Sequence, residues 1–576
     1  MKRYAVLLLS WLLISALPFS SSDLAAGPEY WYSEARSQLH RALHSPPQGG
    51  VAKNVVLVVG DGMSLATVTA ARILRGQQLG MSGEEHQLAF EKFPHVALAK
   101  TYNNDAQIGD SSACATALLC GVKANTETLG LDAGARFEDC RSSHMHRVTS
   151  IFDWAQKEGK STGIVTNTRI THGTPAALYS HSASRYWEDD SKVPPGARKT
   201  CKDIVRQLVE DEPGRNINVI LGGGRRHFLP KVARDPEVET EEGRRLDGRN
   251  LIDDWLRDKK KRNIRSQYVW NKGQFDGVDP ANVDHLLGLF SYSHLDFEVD
   301  RDNSANGDPS LANMTRKAIE ILQKNPHGFF LFIEGGRIDH AHHYNNARRA
   351  LEETLAMETA LQASMTMLDP SNTLFVVTSD HSHVMTLGGF GTKRGNPILG
   401  TDVKPSDVDQ MPYTTLLYGN GPGFGRHPVS GKRDNMTGTD PLDKNYVQQA
   451  AVPRQWATHG GEDVPVYAQG PMAHAFRGVI DQTFIPHAIA YSACVGAQRD
   501  RCNEPQKDAA CPSDPAAAAS SSGVAADRKD NVSTPHAQRP ALTVEAAAAA
   551  ASASVGATAT VALVLVALAS TLVTRS

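Results

Sequence analysis

Residues able to bind metal ions occur in this sequence as short, separated groups, most of them just after an apolar run. Residues 55–59, Val-Val-Leu-Val-Val, lead into Gly60, Asp61 and Gly62. Residues 329–333 lead into Glu334, with Asp339, His340, His342 and His343 close behind. Residues 374–377 precede Asp380, His381 and His383, and residues 164–166 precede His172 and Thr174. His459 stands in a further group, Thr-His-Gly-Gly-Glu-Asp. Asp, Glu and His together suit zinc, and an oxygen-rich remainder suits magnesium. Any one group reads equally well as a turn, a cap or a surface pair. Their joint occurrence points to a metal cluster.

A metal cluster needs a group to react with. Asp110 and Ser111 open a run of small residues, Ser-Ala-Cys-Ala-Thr-Ala, of helical composition. A serine at a helix N-terminus sits where backbone N–H groups and the dipole favour an anion, alkoxide and phosphate alike. The plain alternative is a capped helix packed through Ala and Cys. No G-x-S-x-G elbow surrounds Ser111, so a lipase-type triad is not supported. A free serine hydroxyl is weakly nucleophilic, which makes activation by metal the better route. Gly222, Gly223 and Gly224 lack the following Lys-Ser/Thr of a phosphate-binding P-loop and read as a turn.

These residues need a scaffold that brings them together. The apolar runs, with residues 217–221 among them, lack polar alternation and suit strands buried on both faces. Stretches between them, such as 346–368, have helical composition. The expected class is α/β, a large, mostly parallel central sheet flanked by helices. In such sheets ligands bind beyond the carboxyl ends of the strands. Residues 385–455 are rich in Gly, Pro, Asn and Asp and read as a loop-rich insertion. No internal repeat is present.

The chain has 576 residues and a formal net charge of -3, with no basic excess to suggest nucleic acid. The run Lys259, Lys260, Lys261, Arg262 reads as a solvated face. Lys2 and Arg3 precede an apolar stretch from Ala5 to Leu17, the pattern of a secretory signal peptide over residues 1–22. Residues 503–552 are rich in Ala, Ser, Pro and charge and read as a disordered stalk. The tail 553–576 holds an apolar run, Val561 to Val573, followed only by Thr574, Arg575 and Ser576. That pattern predicts replacement by a GPI anchor on the extracellular face. A secretory route permits disulfides, and seven cysteines leave at least one outside intramolecular pairs. Asn313, Asn435 and Asn531 begin glycosylation sequons.

The motifs, taken with their order, resemble those of the animal alkaline phosphatases. The resemblance is carried by Gly-Asp61-Gly-Met, by Asp110-Ser111 with its Ala-Thr-Ala helix and Cys-Gly-Val-Lys, and by Glu334-Gly-Gly-Arg-Ile-Asp339-His340-Ala-His-His343. Asp380-His381-Ser-His383 and Thr458-His459-Gly-Gly-Glu-Asp complete it, over roughly residues 50 to 500. It implies a catalytic domain over 23–502, with 385–455 as its crown. It also implies hydrolysis of small-molecule phosphate monoesters through a phosphoserine on Ser111, with broad specificity and an alkaline optimum. By the same resemblance, Asp339, His343 and His459 would hold one zinc. Asp61, Asp380, His381 and Ser111 would hold a second, and Asp61, Thr174 and Glu334 a magnesium. Arg185 would grip the phosphoryl group, since its planar fork suits two oxygens at once. His172, His340 and His383 would orient neighbouring groups, with His172 and His340 facing the substrate. Cys140–Cys201 and Cys494–Cys502 would be disulfides, leaving Cys114, Cys120 and Cys511 free. The resemblance further implies a homodimer at the cell surface.

Some positions depart from the pattern. Ser112 and Cys114 stand where relatives commonly carry Ala and Thr, and Cys114, one helical turn from Ser111, is positioned to line the pocket. Ser291 stands where a calcium-binding glutamate is expected, which leaves Glu237, Phe290 and Asp308 as the candidates for a calcium site. Two other activities fit a shared metal scaffold less well. The Cys-x-Pro-x-Arg sequence of sulfatases is missing around Ser111, and related phosphodiesterases commonly use threonine there. An inactive binding protein would show degenerate ligands, yet every expected ligand is present.

Overall fold

Strand β1 (Asn54–Gly60) shows why the apolar runs need no polar alternation. Val56 and Val58 point into one hydrophobic layer, while Val55, Leu57 and Val59 point into another. Strand β7 (Phe329–Gly335) repeats the division, with Phe329, Leu331 and Ile333 on one side and Phe330 and Phe332 on the other. Side chains alternate across a strand with period two, so a sheet covered on both faces demands apolar residues at every position. One layer is closed by helices Leu65–Gln78, Leu311–Leu322 and Ala347–Met367. The other is closed by Ser111–Cys120, Leu251–Lys261 and Phe484–Ala493.

The computed structural model describes residues 28–43, 47–425 and 432–503. The expected signal peptide, most of the stalk, the apolar tail, Cys511 and Asn531 lie outside the described residues. Among those described, no helix is long and apolar enough to cross a membrane.

The remaining strands of the main sheet are β2 (His95–Lys100), β3 (Ser161–Arg169), β4 (Val219–Gly223), β5 (Ser266–Val269), β6 (His285–Leu289), β8 (Thr373–Thr378), β14 (Val464–Gln469) and β15 (Gly478–Asp481). Their order is β15-β2-β14-β8-β1-β7-β3-β4-β6-β5. Only β14 runs against the others, being antiparallel to both β2 and β8. The mostly parallel α/β sheet expected from the sequence is therefore the observed one. The shorter strands β9 (Ser382–His383) and β13 (His459–Gly460) pair antiparallel, with His459 opposite His383. Within 385–455, strands β10 (Met385–Leu387), β11 (Leu416–Gly421) and β12 (Ala450–Pro453) form a small separate sheet joined by long loops.

Three local readings need correction. Gly222 and Gly223 end strand β4, and only Gly224, at φ +96°, makes the turn. The basic run is not wholly solvated, because Lys259 is fully buried. Its ammonium donates to the Arg215 carbonyl and lies 5.2 Å from the Trp255 ring, and burial lowers its pKa to about 8. The long aliphatic stem packs while the charged head finds a carbonyl. Cys114 does not line the pocket. It is buried, and its thiol faces the Thr101 carbonyl at 3.2 Å. Cys140–Cys201 and Cys494–Cys502 are disulfides, and Cys114 and Cys120 are free and buried.

Candidate metal centre and active site

Strands β8, β1, β7 and β3 are consecutive neighbours in the sheet. Neighbouring strands lie about 4.8 Å apart, so their four carboxyl ends fall within ~15 Å. β1 delivers Asp61, β7 delivers Glu334, β8 is followed by Asp380 and His381, and β3 leads to His172 and Thr174. The tight turn after β1 requires glycine. Gly62 has φ +70°, and a Cβ there would lie 2.6 Å from the His383 ring.

The first ligand group gathers Asp339, His343, His383 and His459. Asp339 and His343 lie one turn apart on helix Arg337–His343, their carboxylate and imidazole 3.2 Å apart. His343 Nδ1 donates to the Ala457 carbonyl at 2.7 Å, and His459 Nδ1 donates to the Gly109 carbonyl at 2.8 Å. Both Nε2 atoms therefore carry bare lone pairs when the rings are neutral, and they face each other at 3.3 Å. Asp339 Oδ1 lies 3.5 Å from His459 Nε2. A cation between them satisfies all three groups. His383 donates to Asp339 at 2.5 Å and holds that carboxylate in place.

The second group gathers Asp61, Asp380 and His381, all fully buried. His381 Nδ1 donates to the Ser382 carbonyl at 3.2 Å, which leaves Nε2 bare. That atom lies 3.5 Å from Asp61 Oδ1, 3.4 Å from Asp380 Oδ2 and 3.3 Å from Ser111 Oγ. Asp61 also belongs to a third group, with His172 and Glu334, and its Oδ2 accepts from Thr174 at 3.4 Å. Glu334 takes hydrogen bonds from Thr166 and Thr168 through Oε2.

These carboxylates fit cations by their own chemistry. Asp380 Oδ2 and Glu334 Oε1 are buried without a hydrogen-bond donor. Burial, then the charges of Asp380, Asp339 and Glu334, hold the Asp61 pKa well above its ordinary range. Burial raises Glu334 to about 7 and Asp380 to about 6. Buried carboxylates that repel one another are stable as anions only beside a positive charge.

Ser111 is the first residue of helix Ser111–Cys120, and Asp110 caps it by accepting from the Ser112 N–H at 3.1 Å. The same carboxylate holds Arg185 at 3.3 Å, and His172 Nε2 accepts from the other side of that guanidinium at 3.2 Å. Arg185 is thus aimed from two sides at the space beside Ser111. Burial works against its charge, but Asp110 outweighs burial and keeps it protonated. His340 packs edge-on to His172 and His294, with ring centroids 5.4 and 4.3 Å away. Among the calcium candidates, Glu237 pairs with Arg225, and the Phe290 ring packs on Phe275. Asp308 Oδ1 is buried without a partner.

The sequence reading missed Asn167, the residue that ties β3 to the ligand-bearing turn. Its Oδ1 accepts from the Gly336 and Arg337 N–H groups at 2.9 and 3.2 Å, and its Nδ2 donates to buried Glu353 at 2.8 Å. No spacing or composition signal marks it. Asn167→Ala is expected to cost about 1–3 kcal/mol by orphaning these buried groups, read as a lower midpoint in guanidinium denaturation.

A doubly covered, nearly parallel sheet with a buried carboxylate–imidazole cluster around one hydroxyl defines a metal-dependent α/β hydrolase. The alkaline phosphatase family model matches residues 52–495, and the chain belongs to that family. It is 48% identical to the tissue-nonspecific alkaline phosphatase of Gallus gallus, over 88% of this chain and 97% of the relative. The Homo sapiens tissue-nonspecific isozyme is also 48% identical, over 82% of this chain and 90% of the relative. Among solved structures, the Thermus thermophilus alkaline phosphatase superposes with a TM-score of 0.54 at 22% identity, covering 79% of this chain and 94% of that one. The enzyme from the Antarctic bacterium TAB5 gives 0.52 at 21% identity, covering 77% and 99%. The protein is an alkaline phosphatase, a metal-dependent hydrolase of phosphate monoesters.

Proposed function

We propose that hydrolysis runs through a covalent phosphoserine on Ser111, releasing alcohol first and inorganic phosphate second. The observation that carries this reading is the hydroxyl of Ser111, 3.3 Å from His381 Nε2 and 3.5 Å from Asp61 Oδ1, inside a donor set suited to a cation. Two zinc ions would be held, one by Asp339, His343 and His459, the other by Asp61, Asp380, His381 and Ser111. One magnesium would be held by Asp61, Thr174 and Glu334. When bound, these ions supply Lewis-acid charge that lowers the pKa of a coordinated hydroxyl or water.

The protein's own residues do the rest. The dipole of the helix that Ser111 opens favours negative charge at that hydroxyl. Arg185 binds two phosphoryl oxygens and fixes phosphorus in line with Ser111 Oγ. Asp110 and His172 keep that guanidinium from swinging away. All of these groups grip the phosphoryl moiety, so simple monoesters that differ only in an uncharged alcohol are turned over alike. Arg185→Ala is expected to lower kcat/KM for simple monoesters by about 10²–10³-fold, with a raised KM. Steady-state kinetics checks this, and an unchanged KM removes Arg185 from the phosphate site.

The same reading makes the enzyme a secreted, GPI-anchored homodimer on the extracellular face. Asn435, which is exposed, and half-buried Asn313 are proposed glycan sites with Asn531. The direct test of the anchor is release of activity from intact cells by a phosphatidylinositol-specific phospholipase. Activity that stays with the cells rules the anchor out.

A further inference from the structure

The carboxyl edge of the sheet does not end at the reaction centre. Beyond β3, strands β4 and β6 bring their own loops to the same edge, Arg225–Phe228 following β4 and residues 290–295 following β6. His294, from the β6 loop, packs edge-on to His172 with centroids 5.5 Å apart, and His172 touches Arg185. His294 also contacts Arg169, the last residue of β3. A chain of imidazole and guanidinium contacts thus leads away from Arg185.

These contacts end in unbalanced positive charge. Arg169 forms a two-point pair with Glu188, at 2.7 and 2.9 Å. Glu188 is further occupied by Thr171 at 2.6 Å and His227 at 3.2 Å. Arg226 and Arg244 lie next to one another, the Arg244 N–H donating to the Arg226 carbonyl at 2.8 Å. Both are half-buried, and neither has a carboxylate within ion-pair distance among the described residues. Arg226 lies over the Tyr292 ring at 5.6 Å, and its Nε meets His227 at 3.2 Å. The rest of its guanidinium fork has no acceptor among the described residues. Burial, then the nearby charges of Arg169 and Arg244, lowers its pKa to about 10. Glu188 is the carboxylate near enough to act on Arg226, but its oxygens are already taken by Arg169, Thr171 and His227. Three crowded, partly desolvated guanidiniums facing one shared carboxylate favour an added anion.

We propose that Arg226 and Arg244, with Arg169 and His294 leading to them, form a second phosphate subsite that takes a distal phosphate carried on the alcohol part of the substrate. The inference rests on the reading of Ser111 and Arg185 as the reaction centre. His172 and His294 lie between the two arginine positions, so the second phosphate is separated from the first by a spacer, not joined through one bridging oxygen. The favoured class is the organic bisphosphate, held at one end while the other end reacts.

The test compares alkanediol bisphosphates of increasing chain length with the matching hydroxyalkyl monophosphates, on the metal-loaded enzyme. The expected result is a kcat/KM ratio, bisphosphate over monophosphate, that peaks at one chain length. In Arg226→Ala/Arg244→Ala that ratio falls at least tenfold, mainly through KM, and Arg226→Lys/Arg244→Lys recovers part of it. Thermal melting confirms that the variants are folded. A ratio that is flat with chain length, as a free phosphate bound at this patch would give, overturns the proposal. So does a ratio unchanged in the alanine pair while both esters still turn over. Failure of the wild-type enzyme to turn over any monoester overturns the reaction-centre reading, and the subsite with it.

Discussion

Ser111→Ala is expected to abolish phosphoryl-enzyme formation and lower kcat by about four to six orders of magnitude, with the fold intact. Loss of a nucleophile removes a covalent route outright; it does not merely weaken one contact. Ser111 is buried, but its Oγ makes no bond that the fold depends on, its neighbours being His381 and Asp61. The helix keeps its cap, because Asp110 and the Ser112 N–H supply it. The decisive measurement is acid-quenched trapping of labelled phosphate on protein. Label retained by the alanine variant would move the nucleophile elsewhere, and an unchanged melting temperature in the label-free variant confirms a purely chemical loss.

Chelation is expected to have the second-largest effect, a loss of activity together with a melting temperature lower by about 10 °C or more. Asp61, Asp380, Asp339 and Glu334 are all buried, and their like charges repel. Without cations, the folded state must either protonate some of them or pay the repulsion. A tightly held ion stabilises the fold by about 3–4 kcal/mol through mass action, and in a fold of this size each kcal/mol moves the transition by only about 1 °C, so three ions together give about 10 °C. Calorimetry before and after chelation measures it. Restoring zinc and magnesium should recover both stability and turnover, and recovery with magnesium alone would refute the zinc assignment. A chelated protein with an unshifted transition would mean that the cluster is not filled.

Much of this arrangement was legible before any coordinates. The runs at 55–59, 329–333 and 374–377 read as doubly buried strands because buried parallel strands admit little else, and they are the strands observed. The run at 217–221 was misplaced by two residues, since Ile217 closes the preceding turn and β4 extends through glycines that carry no apolar signal. The groups that could hold metal were conspicuous because Asp and His follow directly on apolar runs, and the fold brings them together. Asn167, His294 and the burial of Lys259 were not. Each acquires its role from a neighbour remote in sequence, Glu353 for Asn167 and Arg215 for Lys259, and composition says nothing of such pairings. Cys114 misled for a related reason: one helical turn places it near Ser111, but packing against Thr101 decides which way the thiol turns.

The reversed direction of β14 has a consequence for how the enzyme comes into being. Parallel strands present the cluster at their exits, whereas β14 presents it at its entrance, where the Pro465 carbonyl meets the Thr378 hydroxyl at 3.0 Å. His459 lies just ahead of that entrance, so a proposed ligand and the strand between β8 and β2 arrive within a few residues of each other during synthesis. A ribosome that stalls or meets a stop codon before residue 459 leaves a product missing an imidazole and a sheet member together. Such a fragment leaves β8 and β2 without the strand that joins them in the sheet.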